Sequence, residues 1–178
     1  MIVVKKILLI LLLVLSACSS TYAEDDVVAE VYGKEITLRD VQLLHEYDDE
    51  DLPQVVKTYV KQEIIIQEAK KLNLDISDYE GGMNPRTYEL PPPAPEGHIN
   101  PIRDFILRQS EKLSMTPEEY MEVYYPTRNE RHAYFAAYLD EKFGTLETES
   151  LEKHEKTNAF YKNLLTLYED DVEIYVGW

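Results

Sequence analysis

The chain is poor in the groups that usually carry chemistry. It has one cysteine, Cys18, so no disulfide within the chain can brace it, and stability must come from the core. Its four histidines, His45, His98, His132 and His154, are scattered at spacings that fit no zinc pattern such as H-E-x-x-H, and read as surface or boundary residues. No G-x-S-x-G elbow, P-loop or Rossmann fingerprint is present. No enzyme is therefore expected, with no catalytic residue, cofactor or metal ligand. Positive charge is also scarce: 18 basic residues face 34 acidic ones, for a net charge of −16. That balance argues against nucleic acid as a partner and against lying flat on an anionic membrane. The acidic run Asp48–Asp51 lacks the alternating ligands and central glycine of an EF-hand loop and reads as a solvated helix start.

What is present begins at the N-terminus. Lys5 and Lys6 precede an apolar run of nine residues, Ile7–Leu15. A bilayer span needs roughly 20 such residues, so the run has the length of a signal-peptide core. Leu15, Ser16, Ala17 and Cys18 follow and resemble the bacterial lipobox. That resemblance implies cleavage after Ala17 and acylation of Cys18, so the membrane partner would be reached through lipid on Cys18. The alternative is an ordinary secretory signal that happens to contain a cysteine. The organisation expected is a signal peptide over 1–17, a tether over 18–26 and one domain over 27–178. Both signal lysines leave on cleavage, so the mature chain would carry 16 basic and 34 acidic residues, a charge of −18. A lipid anchor would put the domain on the extracytoplasmic face of the cell membrane. The Lys/Glu/Tyr/Ile-rich usage leans towards a Gram-positive cell; in a Gram-negative one the periplasmic face of the inner or outer membrane would be meant.

Along the domain, short strands are expected near 27–32 and 35–37 around a turn at Gly33-Lys34. Thr37 suits the cap of a helix running to about Tyr47. A second helix over about 52–72, with Pro53 in its first turn, is apolar on most sides and so should be central. Residues 74–97 read as a loop with a Gly81-Gly82 flexible point and the stiff stretch Pro91–Pro93 and Pro95, either a surface wrap or a lid whose apolar candidates are Tyr79, Met83, Tyr88 and Leu90. A helix over 101–113 should turn Ile102, Phe105, Ile106 and Gln109 to one side. Thr116-Pro117-Glu118-Glu119 starts a helix that should stop near Tyr125, before Pro126; another should begin near Thr127 and meet a break at Gly144. A last helix over about 146–169 precedes a strand at 172–176. That strand needs a partner for its backbone groups, and the only candidates are at the other end of the chain. The fold expected is mainly α: several helices with a small antiparallel sheet joining the N- and C-terminal strands.

The order of these pieces resembles a family. Val28–Thr37 (VAEVYGKEIT) is similar to the V-A-x-V-N-G-x-x-I-T opening of SurA/PrsA-type extracytoplasmic folding factors, with Tyr32 where Asn is usual. Tyr59–Leu74 resembles the family's Q-E-A-K-K-L helix, Met115–Tyr120 its later helix start, and Asp171–Tyr175 its closing strand. Full-length members insert a parvulin-type prolyl isomerase domain before that closing strand, and this chain has no stretch with the room or the paired histidines for one, so isomerase activity is not carried over. The resemblance implies a SurA N-terminal-like helical domain that binds unfolded or extended polypeptides through an apolar cradle.

The tyrosines bear on this. There are 14 of them against four phenylalanines and one tryptophan. Tyrosine suits both the half-buried boundary of a helical core and a binding surface. The residues expected to touch a client are Tyr59, Tyr88, Leu90, Tyr124, Tyr134 and Tyr138. Two functions stand at this point: a lipid-anchored chaperone for secreted chains, or a dedicated interaction lipoprotein serving one envelope partner. Oligomeric state is not legible.

Overall fold

The computed structural model describes residues 22–79, 89–144 and 151–177. It is mainly helical, with one small antiparallel sheet. Strands β1 (Val27–Val31) and β2 (Lys34–Thr37) form a hairpin, and β3 (Val172–Ile174) pairs with the other edge of β1. The strand order is β2-β1-β3, so the two chain ends do meet in one sheet. Ala29 faces Ile174 and Val31 faces Val172, and the Tyr175 N–H extends the pairing by donating to the Val28 carbonyl at 2.9 Å.

The hairpin turn is Tyr32-Gly33, one residue earlier than expected, because Val31 pairs directly with Lys34. Both turn residues have positive φ, 53° and 76°, as the turns matched to strand twist require. Glycine adopts this without cost, and asparagine more readily than tyrosine. Tyr32 is held there by its side chain: its hydroxyl donates to Glu68 Oε1 at 2.8 Å, its ring meets Tyr168 edge-on, and Lys71 sits over the ring.

Helix α1 (Leu38–Leu44) starts at Thr37 with a complete capping box: Thr37 Oγ1 accepts from Asp40 N–H, and Asp40 Oδ2 accepts from Thr37 N–H. It ends at Leu44 rather than near Tyr47, because His45 has extended backbone (φ −131°, ψ 132°). The carbonyls near that end find partners from two other helices, α3 (Pro101–Lys112) and α4 (Pro117–Phe143). The buried Gln109 amide of α3 donates to the carbonyls of Gln42 and His45, and the Tyr120 hydroxyl of α4 donates to Leu43 O at 2.8 Å. These bonds supply the donors that the free carbonyls of a helix C-terminus need and fix where α1 stops.

A short 3-10 turn, Asp49–Asp51, leads into α2 (Leu52–Lys71), and this helix is central. It packs on β1, α4 and α5 (Leu151–Leu167), and it buries Val56, Val60, Ile64 and Ile65 completely. With Val28, Val31, Ile36, Tyr138, Leu164 and Val176 these form the main hydrophobic cluster. A second cluster, Ile106, Leu113, Tyr120 and Met121, lies between α3 and α4. The residues of α3 at helical spacing divide in burial: Ile106 and Gln109 are buried, but Ile102 is 59% exposed. The Pro-rich stretch is tied to the start of α3, since Asn100 Nδ2 donates to Pro92 O at 3.0 Å and the Arg103 guanidinium to Pro91 O.

The largest departure is α4. One 27-residue helix stands where two were expected, and Pro126 lies inside it. Proline leaves the carbonyl four residues back without its helical donor and crowds it. Here that residue is Glu122, and both Glu122 and Pro126 are exposed, so water can serve the carbonyl. The segments on either side are held independently. Tyr120 and Met121 anchor the first in the second cluster; in the other segment Ala133, Ala137 and Tyr138 are buried, Tyr138 as part of the main cluster. A capping box at Thr116 and Glu119 opens α4, and Gly144 (φ 85°) closes it as its C-cap.

Candidate functional site

The continuous α4 has a consequence for its surface. Tyr124, Arg128, Arg131, His132 and Phe135 are spaced by four, three, one and three residues, so they share one helical face. That face forms one wall of a cleft of about 290 Å³. Gln62 and Ile66 of α2 form a second wall. Leu44 and His45, at the fixed end of α1, close the third side.

The charge of this cleft opposes that of the chain. Apart from the Tyr124 phenol, the ionisable side chains lining it are arginines and histidines: Arg128 and His132 exposed at the rim, His45 half-buried, and Arg131 in the floor. No carboxylate lines it, although acidic residues outnumber basic ones by nearly two to one in the sequence.

Arg131 is set by what lies beneath. Its side chain is 12% exposed, and Nη1 donates to Glu63 Oε2 at 2.5 Å. Its guanidinium carbon stands 4.1 Å from the centre of the Tyr59 ring, a cation–π contact. Glu63 projects from α2 and is fully buried. Its Oε1 accepts from Lys34 Nζ at 2.7 Å and from Gln67 Nε2 at 2.6 Å. Burial pushes the Glu63 carboxyl up, but the bonds from Lys34 and Gln67 and the Arg131 charge outweigh it and hold the group down at about 2. The carboxylate is thus ionised and shared between two cations, one on β2 and one on α4. The remaining edge of Arg131, Nε and Nη2, has no hydrogen-bond partner among the described residues, and neither has His45 Nε2. Burial first, and the Arg131 charge second, lower the His45 pKa, which favours the neutral ring.

The expected client-contacting residues separate on this structure. Tyr124 lines the cleft and Tyr59 lies under it, 5% exposed and stacked by Arg131. Tyr138 is a core residue, 4% exposed, so it offers no surface, and the same burial keeps Tyr59 beneath Arg131, with the His45 ring edge-on to it. Tyr134 is half-buried outside the cleft, with the Lys70 ammonium 4.8 Å from its ring centre. Leu90 packs against the second cluster. Tyr88 and the lipobox residues Leu15, Ser16, Ala17 and Cys18 lie outside the described residues. Tyr79 does not act over the cleft; its hydroxyl donates to Asp140 at 2.8 Å. Arg131, Glu63, Arg128, His45, His132 and Phe135 were not expected as site residues. The spacing of four of them falls within the helix expected from Thr127; what the division at Pro126 hid was their alignment with Tyr124 on one face.

Among the described residues, no group of three or more His, Cys, Asp and Glu could hold a metal ion, and no helix is long and apolar enough to cross a membrane. No family model, curated protein or solved structure matches the chain.

Proposed function

We propose that this protein is a lipid-anchored, extracytoplasmic chaperone-like lipoprotein that binds unfolded or extended secreted polypeptides and has no prolyl isomerase activity. The observation that carries the reading is the cleft between α1, α2 and α4: half-open, walled by Leu44, Ile66, Tyr124 and Phe135, and rimmed by polar side chains. An apolar concavity with a few polar groups suits a peptide side chain and its backbone. The N-terminal pattern from Lys5 to Cys18 supports the anchor. A diacylated cysteine would supply the two chains that stable anchoring needs. Against isomerase activity stands the short passage from α5 to β3, a single 3-10 turn, Glu169–Asp171, after Tyr168.

The size of the cleft also favours a narrower reading. About 290 Å³ lies at the small end of ligand pockets and takes one or two residues, not a long segment. A dedicated lipoprotein that recognises one envelope partner by a short stretch is therefore the second reading. The test is suppression of aggregation of a reduced, unfolded substrate by the chain from Ser19 onward, which contains every described element. Protection at equimolar ratio is expected; none at several-fold molar excess refutes the chaperone. Crosslinking in cells separates the two readings, since many captured proteins favour a chaperone and one favours a fixed partner.

A further inference from the structure

We infer that the cleft between α1, α2 and α4 binds the C-terminal carboxylate of an extended polypeptide, with the last side chain, an apolar one, against Tyr124 and Phe135. This rests on the reading of the protein as a polypeptide binder and names what it would grip.

Three observations converge. The first is the reversal of charge. In a chain of net charge −16, a cleft whose charged lining groups are Arg128 and Arg131, with no carboxylate among the lining residues, attracts an anion where the surrounding surface repels one. The second is the state of Arg131. Glu63 holds Nη1, while Nε and Nη2, the parallel pair that matches a carboxylate, have no partner among the described residues. Both atoms of this edge are buried, so Arg131 supplies charge from the floor, and the exposed Arg128 and His132 supply the first contacts. A ligand oxygen that reaches the buried edge displaces no protein hydrogen bond. The third is size. About 290 Å³ is the space of roughly ten waters, enough for one residue with its carboxylate. The aromatic and aliphatic walls, Tyr124, Phe135, Leu44 and Ile66, fit an apolar terminal side chain.

The test uses an N-acetylated alanine peptide ending in phenylalanine, as the free acid and as the C-terminal amide. Each is titrated by calorimetry and by NMR into the chain from Ser19 onward, labelled with ¹⁵N at histidine and arginine side chains. The free acid is expected to bind at least tenfold tighter than the amide, to move the ring signals of His45 and His132 and the Nε signal of Arg131, and to weaken as salt is raised. Arg128→Glu with His132→Ala, both at exposed positions, is expected to remove that preference while leaving the helical circular dichroism unchanged. Equal binding of acid and amide overturns the inference, as does an unchanged preference in the double variant or a response confined to other residues. N-acetylphenylalanine binding as tightly as the peptide overturns the polypeptide part. Failure of the chaperone reading is distinguishable: aggregation suppression would be absent while the acid-over-amide preference persisted. The opposite pair of results would remove the inference and leave the chaperone.

Discussion

Replacing Glu63 with glutamine keeps the shape of the side chain and removes its charge. In the native protein this carboxylate is fully buried and bonded to Lys34, Gln67 and Arg131. The gap between its ordinary value of 4.5 and about 2 corresponds to roughly 3 kcal/mol in favour of the ionised form. The same figure follows from the other side, because removing one partner of a buried ion pair costs about 3–5 kcal/mol and leaves Arg131 without its counter-charge. For Glu63→Gln, then, a loss of about 3 kcal/mol is expected. With a urea dependence of about 2 kcal/mol per molar, the midpoint followed by circular dichroism should fall by about 1.5 M. The pH dependence has a definite sign. The folded carboxyl titrates below the unfolded one, so its contribution is complete above about pH 4.5 and is lost as pH falls towards 2. The difference between the native chain and Glu63→Gln should therefore shrink to roughly half at pH 3. Adding Arg131→Met should restore part of the loss at pH 7, since an apolar residue leaves no orphaned charge. A midpoint shift under about 0.5 M at pH 7, or a difference that grows in acid, would refute the account of a shared buried carboxylate.

Three other outcomes follow from the fold and the anchor. Pro126→Ala should stabilise the chain by about 1–2 kcal/mol, because it gives the Glu122 carbonyl a helical donor at an exposed site; a lower melting temperature would show that the proline shapes α4 in a way the native packing needs. Gln109→Leu should cost about 2–4 kcal/mol in urea unfolding by leaving the carbonyls of Gln42 and His45 without their amide donor, and a neutral result would mean that water replaces it freely. Cys18→Ser should abolish incorporation of labelled palmitate and release the protein from the membrane fraction, whereas unchanged fractionation would remove the lipobox reading.

Local rules made much of this fold legible. Thr37 and Thr116 announce their helices because a cap acts within three residues, and the apolar breadth of α2 announces a central position. The joining of the chain ends followed from the need of a lone strand for a partner. What stayed hidden depends on distance. Glu63 is one acid among 34, and only the approach of β2 and α4 turns it from a surface charge into a buried hub. Gln109 and Tyr120 gain their roles from the end of α1, more than 60 residues earlier. Pro126 was misleading because a strong local rule was overridden by packing on both sides of it. That override also hid the cleft, since Tyr124 and Arg128 belong to one face only when the helix runs through. Tyr59 and Tyr138 show the converse error: tyrosine at helical spacing can equally be core.

The placement of β1 between β2 and β3 sets how the domain bears load. β1 and β3 are antiparallel, and Ala29 faces Ile174, so the chain enters β1 and leaves β3 at the same end of the sheet. Tension between the two termini would therefore strain the β1–β3 hydrogen bonds one after another, as in peeling a strip, and β3 would come away at low force. Tension between the N-terminus and the cleft would instead reach α4 through β1, which is held on both edges and packed against α2. In an optical trap, a pull between the termini should open the molecule at a lower force than a pull between residue 27 and α4; equal forces would mean that the sheet does not carry the load. A protein gripped at its first residues and tugged through its cargo would thus stay folded at a force that a tug on its own tail would not permit.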